Sequence, residues 1–226
     1  MALYAIGDLH LSLGGEKPMD IFSGWQDYVQ RTEANWRRLV CEDDTVLLCG
    51  DSSWAMKLEE CGADFSFLQS LPGTKVLIKG NHDYWWTTRA KMERFCQENG
   101  FSSIRFLQND CHMYGDTALC GTRGWLFDLN DPQDEKVHNR ELGRLRLSLE
   151  AAKGRPAIAF LHYPPIYQSQ VEQDFIELLN AYGVRQCFYG HLHGKSCNYA
   201  FQGEYQGIQF RLISADYLGF CPIFVK

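Results

Sequence analysis

The sequence contains no CxxC pair, and its nine cysteines are an odd number. A structural zinc cluster and a disulfide framework are therefore disfavoured. Free thiols in a reducing compartment are the simpler expectation, with Cys49, Cys120 and Cys187 inside apolar runs. A secretory leader is not expected. The chain enters Ala2-Leu3-Tyr4-Ala5-Ile6, an expected first strand, without a basic n-region, an apolar h-region or a small-residue cleavage site. No apolar stretch approaches the length of a membrane span, so no membrane partner is expected and the cytoplasm is the expected location. There are no low-complexity segments, internal repeats or Pro/Gly/Ser linkers, so residues 1–226 are expected to form a single domain. Positive charge is not in excess: the formal net charge is -6, and no basic stretch is interleaved with aromatics. Grip on a nucleic-acid backbone comes mostly from Lys and Arg neutralising phosphates, so nucleic acid is not the expected partner. A small phosphorylated substrate remains open, because bound divalent cations would invert the local field.

What is present reads as short apolar strands alternating with amphipathic helices. Near-continuous apolar runs at Leu3–Ile6, Thr45–Cys49, Lys75–Ile78, Thr117–Cys120, Ala157–Leu161 and Gln186–Tyr189 predict strands covered on both faces. Helices are expected over Thr32–Val40, Met56–Leu71, Thr87–Glu98 and Phe175–Tyr182. Another is expected to open with Asp131 as N-cap and Pro132 at its first position and to stop at Gly154. Toward the end, Tyr199, Phe201, Ile208, Phe210 and Leu212 alternate around Gly203 and Gly207, the pattern of a hairpin with one buried face. With βαβ units first and strand pairing last, the expected class is α/β (α+β), a sandwich of mixed sheets with helices outside.

The chemistry lies just beyond the end of each strand. In turn come Gly7-Asp8-Leu9-His10, Gly50-Asp51, Gly80-Asn81-His82-Asp83, His162, and Gly190-His191-Leu192-His193. Ligand sites in open α/β sheets gather at the carboxyl ends of strands, and a glycine before such a residue lets the backbone turn tightly. Each motif alone is ordinary turn chemistry. Together they place carboxylates and imidazoles at equivalent strand ends, where without a cation they would repel and stay poorly satisfied. Imidazole, carboxylate and one amide suit Mn, Fe, Zn or Ni better than Ca or Mg. The number of ligands exceeds what a single ion needs, which favours two ions sharing a carboxylate.

In this order the motifs resemble the calcineurin-like metallophosphoesterase superfamily. The context Lys79-Gly80-Asn81-His82-Asp83-Tyr84-Trp85-Trp86 is more similar to its uncharacterised bacterial predicted phosphohydrolases than to eukaryotic protein phosphatases. The resemblance implies a four-layer α/β/β/α sandwich and two divalent transition-metal ions. It implies a metal-dependent phosphohydrolase that cleaves a phosphomonoester or phosphodiester with a hydroxide activated by the dinuclear centre. Asp8, His10 and His193 would hold the first ion, Asn81, His162 and His191 the second, and Asp51 would bridge them. His82 would be catalytic, protonating the leaving oxygen or steadying the phosphoryl group. Neutral imidazole cannot donate that proton, so a carboxylate beside His82 is expected, with Asp83, Asp20 and Asp128 as candidates. The Gly-Asp motif departs from the protein phosphatases: Trp54 and Ala55 stand where a second Asp and an Arg would be.

Outside these motifs, Arg123 between Gly121 and Gly124 is expected to bind substrate phosphate, and Asn81 to face substrate as well as metal. Leu13–Trp25 reads as a rim over the site or a plain loop. At least two of Tyr84, Trp85 and Trp86 are expected to pack a helix, and His112 and His138 to be structural. Two rival functions use the same fold. A non-catalytic scaffold would have lost ligands, and none is lost here. A nuclease would bind DNA with steep salt dependence.

Overall fold

The computed structural model describes residues 1–126 and 132–226. Strands β1 (Leu3–Ile6), β2 (Thr45–Leu48), β3 (Thr74–Leu77) and β4 (Ile104–Phe106) run parallel in one sheet, and β13 (Ile223–Phe224) adds antiparallel beside β1. A second sheet has the order β11 (Gly203–Tyr205), β12 (Ile208–Leu212), β10 (Gln186–Tyr189), β7 (Ala157–Leu161), β6 (Thr117–Thr122), β5 (Cys111–Tyr114). Its four central strands are parallel and its two edge strands antiparallel. The short strands β8 (Ile166–Tyr167) and β9 (Gln170–Val171) pair apart from both sheets.

Alternation along the strands explains the layers. Leu3, Ala5, Leu47, Cys49, Val76 and Ile78 from one sheet pack against Leu119, Ile158, Phe160, Phe188 and Ile213 from the other. The opposite face of the first sheet, with Ile6, Val46, Leu48 and Leu77, is covered by α1 (Tyr28–Leu39), α2 (Gly62–Ser70) and α3 (Arg89–Asn99). Ala118, Cys120, Ala159, Leu161 and Cys187 face α4 (Pro132–Ala151) and α5 (Gln173–Ala181). The result is the expected α/β/β/α sandwich.

Several element limits differ from the sequence reading. The helix expected over Met56–Leu71 is a 3-10 turn at Leu58–Cys61 followed by α2, and the first helix begins four residues early, at Tyr28. The end hairpin is β11–β12, closed by Gln206 (φ 49°) and Gly207 (φ 78°), while Tyr199 ends a 3-10 segment, Gly194–Tyr199. Asp131, the expected N-cap of α4, and Asp128 lie outside the described residues. All nine cysteines are free thiols. No helix among the described residues is long and apolar enough to cross a membrane.

Candidate metal centre

The loops that leave β1, β2, β3, β7 and β10 meet at one edge of the sandwich. The first two loops are zipped together by backbone bonds: Asp8 N–H donates to the Gly50 carbonyl at 2.9 Å, and His10 N–H to the Asp51 carbonyl at 2.9 Å. The turns are tight enough that Asp8 (φ 59°), His10 (φ 47°), Asp51 (φ 49°) and His191 (φ 71°) all adopt left-handed backbone. Non-glycine residues there carry a local cost and cluster where the surroundings over-determine a site. Close approach also explains two glycines. A Cβ on Gly80 would lie 2.0 Å from Asp51 Oδ1, and one on Gly190 would lie 2.3 Å from Asp8 Oδ2.

The structure brings together Asp8, His10, Asp51, Asn81, His162, His191 and His193. Asp8, Asp51 and His162 are fully or almost fully buried. Two groups of donor atoms are close enough to hold an ion, Asp8–His10–His193 and Asp8–Asp51–His162. Asp51 Oδ2 lies 3.7 Å from His10 Nε2 and 3.5 Å from His162 Nε2, while its Oδ1 accepts the His82 N–H at 2.7 Å. Asn81 Oδ1 lies 2.6 Å from His162 Nε2 and 2.9 Å from His191 Nδ1.

The proton inventory fits a cation. His162 Nδ1 faces the Cys49 carbonyl at 3.0 Å and must donate to it, which leaves a lone pair on Nε2 pointing at the lone pairs of Asn81 Oδ1. His193 Nδ1 faces the Asp216 carboxylate at 3.0 Å, and its Nε2 lies 3.2 Å from His10 Nε2. His10 Nδ1 is buried without a hydrogen-bond partner among the described residues. A divalent ion would satisfy the facing acceptors of His162 and Asn81, and Asp216 and Cys49 would orient the imidazoles of His193 and His162 as ligands.

The charges are frustrated in the same way. Burial, reinforced by Asp8, pushes the Asp51 carboxyl up to about 8. Burial would also raise Asp8, but the His193 hydrogen bond and the surrounding imidazoles hold it below the usual carboxylate range. Burial and His162 push His191 down to about 3. His193 goes the other way: against burial, its bonds to Asp216 and Asp8 hold it up to about 10. Cations bound among them would favour the deprotonated form of every one of these groups.

His82 is half-buried beside this cluster, its ring 5.8 Å from His10 and 4.5 Å from Trp54. The carboxylate expected next to it is not found among the described residues. Asp83 is fully buried and points into the loop, where it accepts the N–H groups of Gly80 (2.7 Å), Asp51 (2.9 Å) and Ser52 (2.9 Å) and the indole of Trp85 (3.0 Å). Asp20 is exposed. Burial and the neighbouring histidines lower the His82 pKa. Its ring neighbour is Trp54, which also stacks on His10 at 4.8 Å, and the Tyr84 hydroxyl lies 3.4 Å from Nδ1.

Other expectations resolve individually. The Leu13–Trp25 segment touches the site: the Trp25 ring is 5.7 Å from that of His193, and Lys17 sits over Trp54 at 4.7 Å. Trp85 and Trp86 pack into the helix-side core, and Tyr84 is exposed. Arg123 is mostly buried and paired with Glu141 at 3.3 Å, itself fully buried, so it is not a surface ion pair. Asp216 was missed by sequence reasoning. It sits past the end of β12 as the ligand candidates sit past theirs, but no glycine or histidine beside it marks it.

Comparison with solved structures gives the same architecture. A phosphopantetheinyl hydrolase from Mycobacterium tuberculosis is 15% identical, with 99% of this chain and 95% of that chain aligned and a TM-score of 0.60. A protein of unknown function from Aquifex aeolicus is 14% identical over 99% and 95% of the two chains, with a TM-score of 0.52. At these identities the likeness is one of fold. A search of the curated proteins finds no match. The family model of the calcineurin-like phosphoesterases matches residues 1–195 of the 226, the span that carries every motif residue from Asp8 to His193. That match makes the protein a metal-dependent phosphoesterase, and the chain belongs to the calcineurin-like phosphoesterase family.

Proposed function

We propose that this enzyme hydrolyses a small phosphomonoester or phosphodiester at a dinuclear centre, in the cytoplasm, with residues 1–226 working as one catalytic domain. Asp8, His10 and His193 would hold one transition-metal ion and Asn81, His162 and His191 the other, with Asp51 between them. The observation that carries this reading is the meeting of two acceptors, His162 Nε2 and Asn81 Oδ1, at 2.6 Å, beside two groups of donor atoms close enough to hold an ion. When bound, the ions supply a nucleophile at neutral pH and offset phosphoryl charge. The chain's own residues do the rest. Asp216 and the Cys49 carbonyl orient two imidazoles. Trp54 and Trp25 wall the His10 side against water. His82 stands outside the ligand set with its ring held against Trp54, where it would donate a proton to the leaving oxygen. With no carboxylate among the described residues to hold that proton, His82 would charge when the substrate's own negative charge arrives. Arg123 would bind a phosphate of the substrate, and Asn81 would face substrate as well as metal.

Protein purified without added metal is expected to carry up to two transition-metal ions per chain by elemental analysis. With Mn²⁺ it should hydrolyse p-nitrophenyl phosphate or its bis ester, and chelator should abolish turnover. Asp51→Asn and His191→Ala should each lower kcat/KM by about a thousandfold or more and reduce metal content. Full activity in either variant with metal present would refute the assignment. A phosphopantetheinyl compound belongs in the substrate panel, given the fold neighbour that hydrolyses that group.

A further inference from the structure

Beside the proposed metal centre lies a cavity of about 320 Å³ lined by Lys79, Thr88, Gln108, Arg123, Glu141 and Arg144, among others. It shares walls with the centre. Lys79 directly precedes Gly80-Asn81-His82, and Asp83 clamps that loop to the Asp51 loop. On the other side, the Thr122 carbonyl accepts the His162 N–H at 3.3 Å, and the Arg123 carbonyl accepts the Tyr163 N–H at 2.8 Å. The Tyr163 ring lies 4.1 Å from that of His191.

The lining has an unbalanced charge. Three cations, Lys79, Arg123 and Arg144, face Glu141 as the one carboxylate among the lining residues, in a chain of net charge -6. Glu141 is already fully used. Its Oε2 accepts the Thr122 hydroxyl at 2.8 Å, and its Oε1 faces Arg144 at 2.7 Å, Arg123 at 3.3 Å and Arg140 at 3.7 Å. Two donors are left over. Among the described residues, half-buried Lys79 makes no hydrogen bond or ion pair, and the buried Arg123 Nε has no hydrogen-bond partner. Buried donors left unmet cost free energy that an incoming acceptor recovers. A stability role does not account for the arrangement, because a structural ion-pair cluster would balance its charges and close the space between them.

We propose that this cavity receives a second phosphoryl group of the substrate, so that the enzyme prefers phosphoesters carrying another phosphate one short linker away from the scissile one. The proposal rests on the phosphoesterase reading above and adds a substrate class to it. Lys79 would supply a point charge and Arg123 a guanidinium fork, while Thr88 and Arg144 close the rim.

Non-hydrolysable probes test it on the Mn²⁺-loaded full chain by titration calorimetry. Butylphosphonate is compared with α,ω-alkanediyl bisphosphonates of increasing length. The best-fitting bisphosphonate should bind about tenfold tighter than butylphosphonate, beyond the factor of about two that two equivalent ends give. In Lys79→Met and in Arg144→Met this advantage should shrink to about twofold. Should Lys79→Met fail to fold, the rim residue Arg144 carries the test alone. If p-nitrophenyl phosphate is hydrolysed but no bisphosphonate is favoured, or both variants keep the full advantage, the second-phosphate pocket is overturned and the phosphoesterase reading stands. If there is neither turnover nor binding of any phosphonate, that reading falls and the pocket falls with it.

Discussion

Asp216 shows how much a single side chain outside the expected ligand set can decide. Its Oδ1 takes the Nδ1 proton of His193 at 3.0 Å, and its Oδ2 takes the Gly194 N–H at 2.9 Å. One carboxylate thus fixes the tautomer, ring orientation and following turn of a proposed ligand. An imidazole freed from such a partner can rotate, or can place its proton on the nitrogen that should carry the lone pair. Asp216→Ala is therefore expected to weaken one of two Mn²⁺ binding steps by about 10- to 100-fold while sparing the other, as read by calorimetric titration. Asp216→Asn can still accept the Nδ1 proton and should recover part of the loss. Equal weakening of both steps, or of neither, would show that Asp216 does not act through His193.

At the scale of elements, the site is a bundle of strand-end loops held to one another and, through Asp64, to a helix. Asp83 is the main tie, accepting from the Gly80, Asp51 and Ser52 backbones at once. A second tie is Asp64, buried on α2, which accepts the Ser53 hydroxyl and, at 2.7 Å, the Leu13 N–H. Removing Asp83 would leave three backbone donors buried without an acceptor, each costing about 1–3 kcal/mol where water cannot enter. Asp83→Ala is expected to lose about 3–5 kcal/mol in urea unfolding of the metal-free protein and to abolish tight Mn²⁺ binding. A loss below about 1 kcal/mol would mean that water replaces the carboxylate. The sequence offered Asp83 as a partner of His82. Neighbouring side chains in so tight a loop point apart, and Asp83 turned to the backbone. The parallel strands were legible because burial on both faces leaves unbroken apolar runs, and Leu3–Ile6, Ala157–Leu161 and Gln186–Tyr189 match to the residue. Ile104–Phe106, Cys111–Tyr114 and Ile223–Phe224 were not legible. All three are short edge strands; Ile104–Phe106 and Ile223–Phe224 pair with strands distant in sequence, and Cys111–Tyr114 pairs with the adjacent β6 without an unbroken apolar run to mark it. The Trp54 contact with His82 was equally hidden, since no pattern along the chain tells which aromatic will pack against that ring.

Across the whole molecule, the thiols sit where charge is least tolerated. Cys187 and Cys120 lie in the second sheet against α4 and α5, and Cys61 lies beneath the helices of the first. Burial pushes Cys120 up to about 12 and raises Cys61 and Cys187 further. In the unfolded chain these thiols ionise near their ordinary value of about 9. Above that pH the folded state binds more protons than the unfolded one, so stability is fully present below about pH 9 and falls as pH rises. Lys75 works in the opposite sense. It is buried, with its ammonium donating to the Leu71 and Gly73 carbonyls, and burial lowers its pKa to about 8. Between about pH 8 and its unfolded value the unfolded state binds the extra proton, so this group adds stability as pH rises. The net slope therefore mixes two signs, and a single-site comparison separates them. Each thiol contributes about 1.4 kcal/mol per pH unit once the pH exceeds 9. Cys187→Ala should lower stability at pH 7, through the lost packing, by about 1 kcal/mol. At pH 10 the deficit should nearly vanish, because the variant no longer has a thiolate to gain on unfolding. Urea unfolding of both proteins at the two pH values measures this, and a deficit that stayed constant would mean that Cys187 does not resist ionisation in the folded core.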